Sequence, residues 1–164
     1  MPAIHRKRIL FVCMGNICRS PAGESVMRRL VDLDRLSDKI ECDSAGTIDF
    51  HTGKSPDARM CRAGAARGIE IKGAARQVRR SDLDEFDLVL AMDRENLRDI
   101  QRLDRKSKGT ATVKLFCNYC TEHSHTDVPD PYYGGDEGFE TVLNLLEDGC
   151  KGLLAELRRE LDSD

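Results

Sequence analysis

Four short segments that read as strands alternate along the chain with segments that read as helices, and that order leaves few folds open. The first strand is predicted at residues 8–12, where Ile9, Leu10, Phe11 and Val12 run together without a polar break. A helix follows, with Ser20 as N-cap, Pro21 as its first residue, and Val26, Leu30 and Leu33 at helical spacing to about residue 35. Residues 39–44 read as a second strand, 57–67 as a helix ended by Gly68, and 81–84 as a short helical turn. Residues 86–92 fit a buried third strand, Asp93 caps a helix to about 103, and 112–116 supply the fourth strand. A polar loop covers about 117–136. The last helix runs from about 137 to 161, with Phe139, Val142, Leu146, Leu153, Leu154 and Leu157 on its inward face.

Strands alternating with helices pair in parallel through right-handed crossovers, and the helices cover both faces of the sheet. The expected class is α/β, a four-stranded parallel sheet with helices on both faces. The 164 residues suit a single domain, 1–164, with a sizeable core. In such sheets ligands bind beyond the carboxyl ends of the strands, where the strand order reverses. The segment Cys13–Ser20 lies at such an end.

A net charge of −3 gives no global argument for nucleic acid or membrane surfaces, and neither is expected as a partner. The stretch Met1–Arg8 is basic, but the apolar run after it spans only Ile9–Val12, too short for a signal-peptide core. No segment approaches the roughly 20 apolar residues that span a bilayer. A cytoplasmic location is expected. The seven cysteines are odd in number, and their spacings do not suggest a stapled secreted scaffold, so reduced thiols are expected.

Cys13-Met14-Gly15-Asn16-Ile17-Cys18-Arg19-Ser20 carries the chemistry. A phosphate monoester bears nearly two negative charges near neutral pH. Inward-pointing backbone N–H groups backed by a helix N-terminus match that charge. Gly15 is expected to supply the backbone angles of a tight loop. Arg19 adds a planar fork of donors for two phosphate oxygens. The same positive surroundings favour thiolate over thiol at Cys13, and the thiolate is the nucleophile. One loop would then bind the phosphate and attack phosphorus, splitting ester cleavage into two steps. The alternative, an inert core thiol beside a surface arginine, leaves the strand, the glycine and the Ser-Pro helix start unexplained.

Val12-Cys13-Met14-Gly15-Asn16-Ile17-Cys18-Arg19-Ser20-Pro21, Asp43-Ser44-Ala45-Gly46-Thr47, Ala91-Met92-Asp93 and Asp130-Pro131-Tyr132-Tyr133 occur in this order. Together they resemble the low-molecular-weight protein tyrosine phosphatases over nearly the whole chain. The resemblance implies a flavodoxin-like three-layer sandwich without metal or other cofactor. It implies Cys13 as nucleophile, Arg19 as phosphate and transition-state binder, and Asp130 as general acid. The need for such an acid stands by itself: a leaving aryloxide requires a proton, and a positioned carboxylic acid supplies roughly 10²–10⁴-fold in such steps. The carboxylate then serves as base for the water that clears the phospho-cysteine, and Pro131 stiffens its approach.

By the same resemblance Asn16 takes a strained backbone position and hydrogen-bonds Ser44. Ser20 donates to the Cys13 sulfur. Tyr132, Tyr133 and Phe50 would wall a slot deep enough for an aryl phosphate, with Met14 and Ile17 at its mouth. Cys18 would capture an oxidised Cys13 as a disulfide and spare it from over-oxidation. The expected substrate is a tyrosine-phosphorylated protein, with phosphate-like anions as inhibitors and the chain as a monomer. Some relatives place a histidine where this chain has Gly73, which leaves part of the loop bracing unassigned.

Three other functions use similar parts. Arsenate reductases on this scaffold need two relay cysteines near the third strand, where 82–93 has none. Related phosphoarginine phosphatases carry threonine where this chain has Ile17. A non-catalytic phosphotyrosine-binding module would need a broken catalytic set. The run Cys117, Cys120, His123 and His125 fits a metal site, a redox cysteine pair or a solvated loop.

Overall fold

In the computed structural model, residues 5–163 are described. Met1–Ile4 of the basic N-terminal stretch and the final Asp164 lie outside them. Chain order is β1 (Lys7–Cys13), α1 (Arg19–Leu33), β2 (Ile40–Gly46), α2 (Ala58–Ala65), α3 (Asp82–Glu85), β3 (Leu88–Ala91), α4 (Arg94–Leu103), β4 (Thr112–Leu115) and α5 (Asp136–Asp162). A 3-10 turn, Phe116–Tyr119, follows β4.

The four strands form one parallel sheet in the order β2-β1-β3-β4. This is the order of the flavodoxin-like folds without their last strand. β1 is buried on both faces, as an uninterrupted apolar strand must be in a covered parallel sheet. Ile9, Phe11 and Cys13 enter the core packed by α1, α2 and α5. Leu10 and Val12 enter the opposite core with Leu83 of α3 and Ile100 of α4. The sandwich therefore has three layers. Among the described residues no helix is long and apolar enough to cross a membrane.

The chain leaves β1 toward β2 and then returns past β1 to β3, so β1 stands at the reversal of strand order. The segment after Cys13 opens at that reversal. β1 and β2 stay in step beyond the sheet, with Thr47 N–H donating to Cys13 O at 2.9 Å and Ile48 N–H to Met14 O at 3.1 Å. Gly46 permits this approach, because a Cβ there would lie 2.6 Å from the Met14 carbonyl oxygen.

The first helix departs from the sequence expectation. It begins at Arg19, not Pro21, and Ser20 is inside its first turn rather than its cap. The Ser20 hydroxyl lies 3.0 Å from Cys13 Sγ and accepts from Asn16 Nδ2 at 2.8 Å, so it is not spent on the helix N–H groups. The third strand is shorter than its apolar run, Leu88–Ala91. Phe86 N–H closes the α3 turn on Asp82 O, and Asp87 turns its carboxylate to Arg8 N–H at 2.8 Å. Asp93 caps α4 as expected, accepting from Asn96 N–H at 2.7 Å.

Candidate active site

The segment between β1 and α1 wraps around the Cys13 sulfur. Asn16 N–H donates to Cys13 Sγ at 3.3 Å. The turn is made by Asn16, whose φ is +57°, as the resemblance implied, and not by Gly15, from which the loop's special angles were also expected. Asparagine tolerates this left-handed region better than most side chains. Gly15 is needed for space, since a Cβ there would meet His51 Cδ2 at 3.0 Å.

Behind the loop runs a buried polar chain. Asn16 Nδ2 donates to Ser20 Oγ and, at 3.0 Å, to Ser44 Oγ, and Ser44 Oγ donates to Glu24 Oε1 at 2.7 Å. Both Asn16 donors are thereby used, and the Ser20 hydroxyl proton is left for the sulfur or for Ala45 O at 3.3 Å. Burial pushes the Glu24 carboxyl up, against the pull of Ser44 and Arg28. Gly73 stands over open space with φ +135°. The brace on that side is the Arg76 backbone, whose N–H donates to Asn16 Oδ1 at 3.0 Å. Its guanidinium is tied to Asp82 and Asp43 at 3.0 and 3.1 Å.

Arg19 points from the first turn of α1 across the same opening, with its side chain 4 % exposed. Its guanidinium donates to Asp93 Oδ2 at 2.6 Å and to Val128 O at 3.0 Å. Burial opposes its charge, but Cys13, Asp93 and Asp130 together hold it above its ordinary value. Asp93 is a site residue that the sequence reading had as the α4 cap and as part of the Ala91-Met92-Asp93 motif, with no role toward Arg19.

Asp130 arrives from the long loop after β4. Its Oδ2 lies 3.8 Å from Arg19 Nη2, and its Oδ1 accepts from Tyr132 N–H at 3.0 Å. Three fastenings hold the loop. Asp148 of α5 accepts from the N–H groups of Thr121, Glu122 and His123. Asp127 accepts from Arg94 N–H at 3.0 Å, and Val128 N–H donates to Met92 O at 2.8 Å.

One cleft of about 170 Å³ is lined by Cys13, Met14, Gly15, Ile17, Cys18 and Arg19 on its floor. Its walls include Phe50, Asp130, Tyr132 and Tyr133, with Ile48 and His51 added. Asn16, Ser20 and Ser44 stand behind the floor and support it. Tyr132 and Tyr133 meet edge to face at 5.0 Å, and Phe50 meets His51 the same way at 4.9 Å. Arg59 braces the tyrosine wall from outside, 5.4 Å from the Tyr132 ring. Neither His51 nor Arg59 carries a motif signal, and only the fold brings them here. Two aromatic walls above a cationic floor with a sulfur at its base fit a flat ring bearing a compact dianion.

Cys117, Cys120, His123 and His125 do not converge. Cys117 is buried, Cys120 donates to Leu145 O at 3.6 Å, and His123 pairs with Asp148 at 2.7 Å. His125 stacks edge-on against His123 at 6.0 Å. Among the described residues no three His, Cys, Asp or Glu side chains meet at a point fit for a metal ion.

The sequence pattern of the family described as "low molecular weight phosphotyrosine protein phosphatase" matches residues 8–163. A putative low molecular weight protein-tyrosine-phosphatase of Synechocystis is 49% identical over 154 residues, covering 94% of this chain and 98% of its own. The crystal structure of a protein tyrosine phosphatase from Entamoeba histolytica, with Hepes in its active site, superposes with a TM-score of 0.89 at 41% identity. It covers 94% of this chain and 98% of its own. A Drosophila arginine phosphatase superposes with a TM-score of 0.85 at 28% identity, covering 91% and 96%.

Proposed function

The chain belongs to the low molecular weight phosphotyrosine protein phosphatase family, and on that footing we propose that it hydrolyses protein phosphotyrosine and small aryl phosphates through a cysteinyl-phosphate. The observation that carries this reading is the convergence of Cys13, Arg19 and Asp130 in one aromatic-walled cleft. The phosphoryl group sits on the loop N–H groups and the Arg19 fork while Cys13 attacks from the floor. The ring lies between Phe50 and the Tyr132–Tyr133 pair. Asp130, at the rim on the side of Arg19, protonates the departing phenolate and then takes a proton from the water that frees phosphate. Ser20, with its acceptor site filled by Asn16, is disposed to donate to the sulfur and stabilise it as it leaves.

Depth favours phosphotyrosine over phosphoserine, whose short stem leaves phosphorus above the sulfur. Ile17 in the cleft lining favours an aromatic ring over the polar guanidinium of phosphoarginine. Cys18 lines the same cleft, and burial, aided by Asp57, pushes its thiol up to about 12. Raised in this way it is a poor rival nucleophile, and it is its place in the cleft with Cys13 that disposes it to trap an oxidised Cys13. The test is steady-state turnover of an aryl phosphate by the chain and its Cys13→Ser variant, with phosphoserine and phosphoarginine as competitors. Turnover that survives Cys13→Ser defeats the nucleophile assignment.

A further inference from the structure

Two cysteines beyond β4 take no part in the cleft. We propose that Cys117 and Cys120 are a second redox-active dithiol, which a peroxide converts to an intramolecular disulfide without the participation of Cys13. Phe116–Tyr119 is a single 3-10 turn, closed by Cys120 N–H donating to Cys117 O at 3.1 Å. Residues three apart eclipse in 3-10 geometry, so both side chains leave the turn on the same side. Three steps of about 2.0 Å also place the two Cα atoms about 6 Å apart, within the range a disulfide spans.

The turn is fixed rather than adaptable. The Phe116 ring packs where a Cβ on Gly149 would stand, and the Tyr119 carbonyl packs the same way on Gly152. Asp148 then grips the next three residues through their N–H groups. A pair held this way loses little further entropy when it is bridged. Cys117 is buried and Cys120 is partly exposed, which gives a small oxidant one side of approach.

The two thiols influence each other's acidity. The Cys120 thiol beside it holds Cys117 below its ordinary value, whereas the same contact, with burial, raises Cys120. Either thiol of the pair, once deprotonated, can open the reaction. It bonds to one oxygen of hydrogen peroxide, the O–O bond breaks, and sulfenic acid and hydroxide form. The other cysteine's sulfur then attacks the sulfenic sulfur, the S–O bond breaks, and the hydroxyl leaves as water with that cysteine's proton. Two thiols lose two electrons and one peroxide becomes two waters.

The other cysteines are less available, including the partly exposed Cys61, whose thiol donates to Ile71 O at 3.5 Å and is raised by burial. Cys150 is wholly buried and donates to Gly23 O at 3.7 Å, and Cys42 is buried in the same core. The test treats the full chain carrying Cys13→Ser and Cys18→Ser with hydrogen peroxide, then counts free thiols and maps disulfides by mass spectrometry. The expected result is the loss of two thiols per chain, a Cys117–Cys120 bridge, and full reversal by dithiothreitol. Adding Cys117→Ser should leave Cys120 titratable. Mapping of the oxidised parent chain gives the same answer without substitutions. Persistent thiols at both positions, a bridge to Cys150 or a bridge between chains each overturns the proposal.

Discussion

Asp93 spends its two carboxylate oxygens on different jobs: Oδ1 caps α4 through Asn96 N–H at 2.7 Å, and Oδ2 holds the Arg19 guanidinium at 2.6 Å. The proposed phosphate clamp, Arg19, is thus aligned by the start of a helix that follows β3. Asparagine preserves the cap and removes the charge. Asp93→Asn should lower kcat/KM for an aryl phosphate about tenfold, or about 1.4 kcal/mol, with little change in melting temperature. Asp93→Ala should lose the cap as well and cost about 1 kcal/mol of stability. Kinetics and thermal melts on both variants separate the two jobs. Equal stability losses would show that Oδ1 is not capping.

Asp130 should matter in proportion to the leaving group's need for a proton. Asp130→Asn should slow a poor leaving group such as phenol by roughly 10²–10⁴-fold and an acidic nitrophenol far less. A phosphotyrosine protein should still bind. Rates for a series of aryl phosphates of graded leaving-group acidity check this. A flat dependence in the variant that matches the parent would end the general-acid assignment.

These two aspartates show what a sequence exposes and what it hides. Cys13, Arg19 and the loop between them were legible because their chemistry is local: a strand end, a tight loop and a helix start are contiguous in the chain. Asp130 was legible only through its motif, since an aspartate before proline is also an ordinary turn residue. The second job of Asp93 was invisible because the cap alone accounts for it. Ser20 misled for the converse reason. Its hydroxyl matches an N-cap by type, but Cys13 and Asn16 claim it, and the helix begins two residues earlier, at Arg19. Phe50 and His51 are adjacent in sequence, yet only the first drew notice, because the approach of His51 to Gly15 is set by how β2 leaves the sheet.

Cys18 offers a redox prediction that differs from the one made for Cys117 and Cys120. Peroxide should inactivate the enzyme, and dithiothreitol should restore most activity, because a Cys13–Cys18 disulfide shields the nucleophile from sulfinic acid. Cys18→Ser should be inactivated as readily and recover far less. Activity after timed peroxide and thiol treatment is the measurement, and full recovery in the variant refutes the shielding role.

Asp148 makes stability depend on acidity. Hydrogen bonds from residues 121–123 hold its carboxyl at about 2, below the ordinary carboxylate, despite its burial. A lowered folded value means that the unfolded chain binds the proton first, so the stabilisation is whole above about pH 4 and is lost as pH falls through about 2. The contribution near neutrality is on the order of 2 kcal/mol. Asp148→Asn should melt lower than the parent at pH 6, and the gap should close between pH 4 and pH 2. A gap that stays constant across that window would place the stabilisation elsewhere.

Two glycines of α5 should respond to alanine with opposite signs. Within a helix, glycine to alanine ordinarily stabilises by about 0.5–1 kcal/mol through the unfolded chain and the helix propensity. Gly138 has room for the change, since a Cβ there would meet Pro131 no closer than 3.5 Å. Gly138→Ala should raise stability by about half a kcal/mol. At Gly152 a Cβ would fall 1.9 Å from the Tyr119 carbonyl oxygen, which is backbone and cannot swing aside. The helix must move away or the 3-10 turn must shift, and overpacking of this kind costs about 1–3 kcal/mol, more than propensity returns. The displaced turn leads directly into the segment held by Asp148 and onward to Asp130. Gly152→Ala should therefore lower the denaturation midpoint and also slow the hydrolysis of poor leaving groups. Urea unfolding of both variants, with aryl phosphate kinetics on the folded protein, tests the pair. Matching stabilisation at the two positions would mean that α5 and the turn are not in the close contact that makes the glycine necessary.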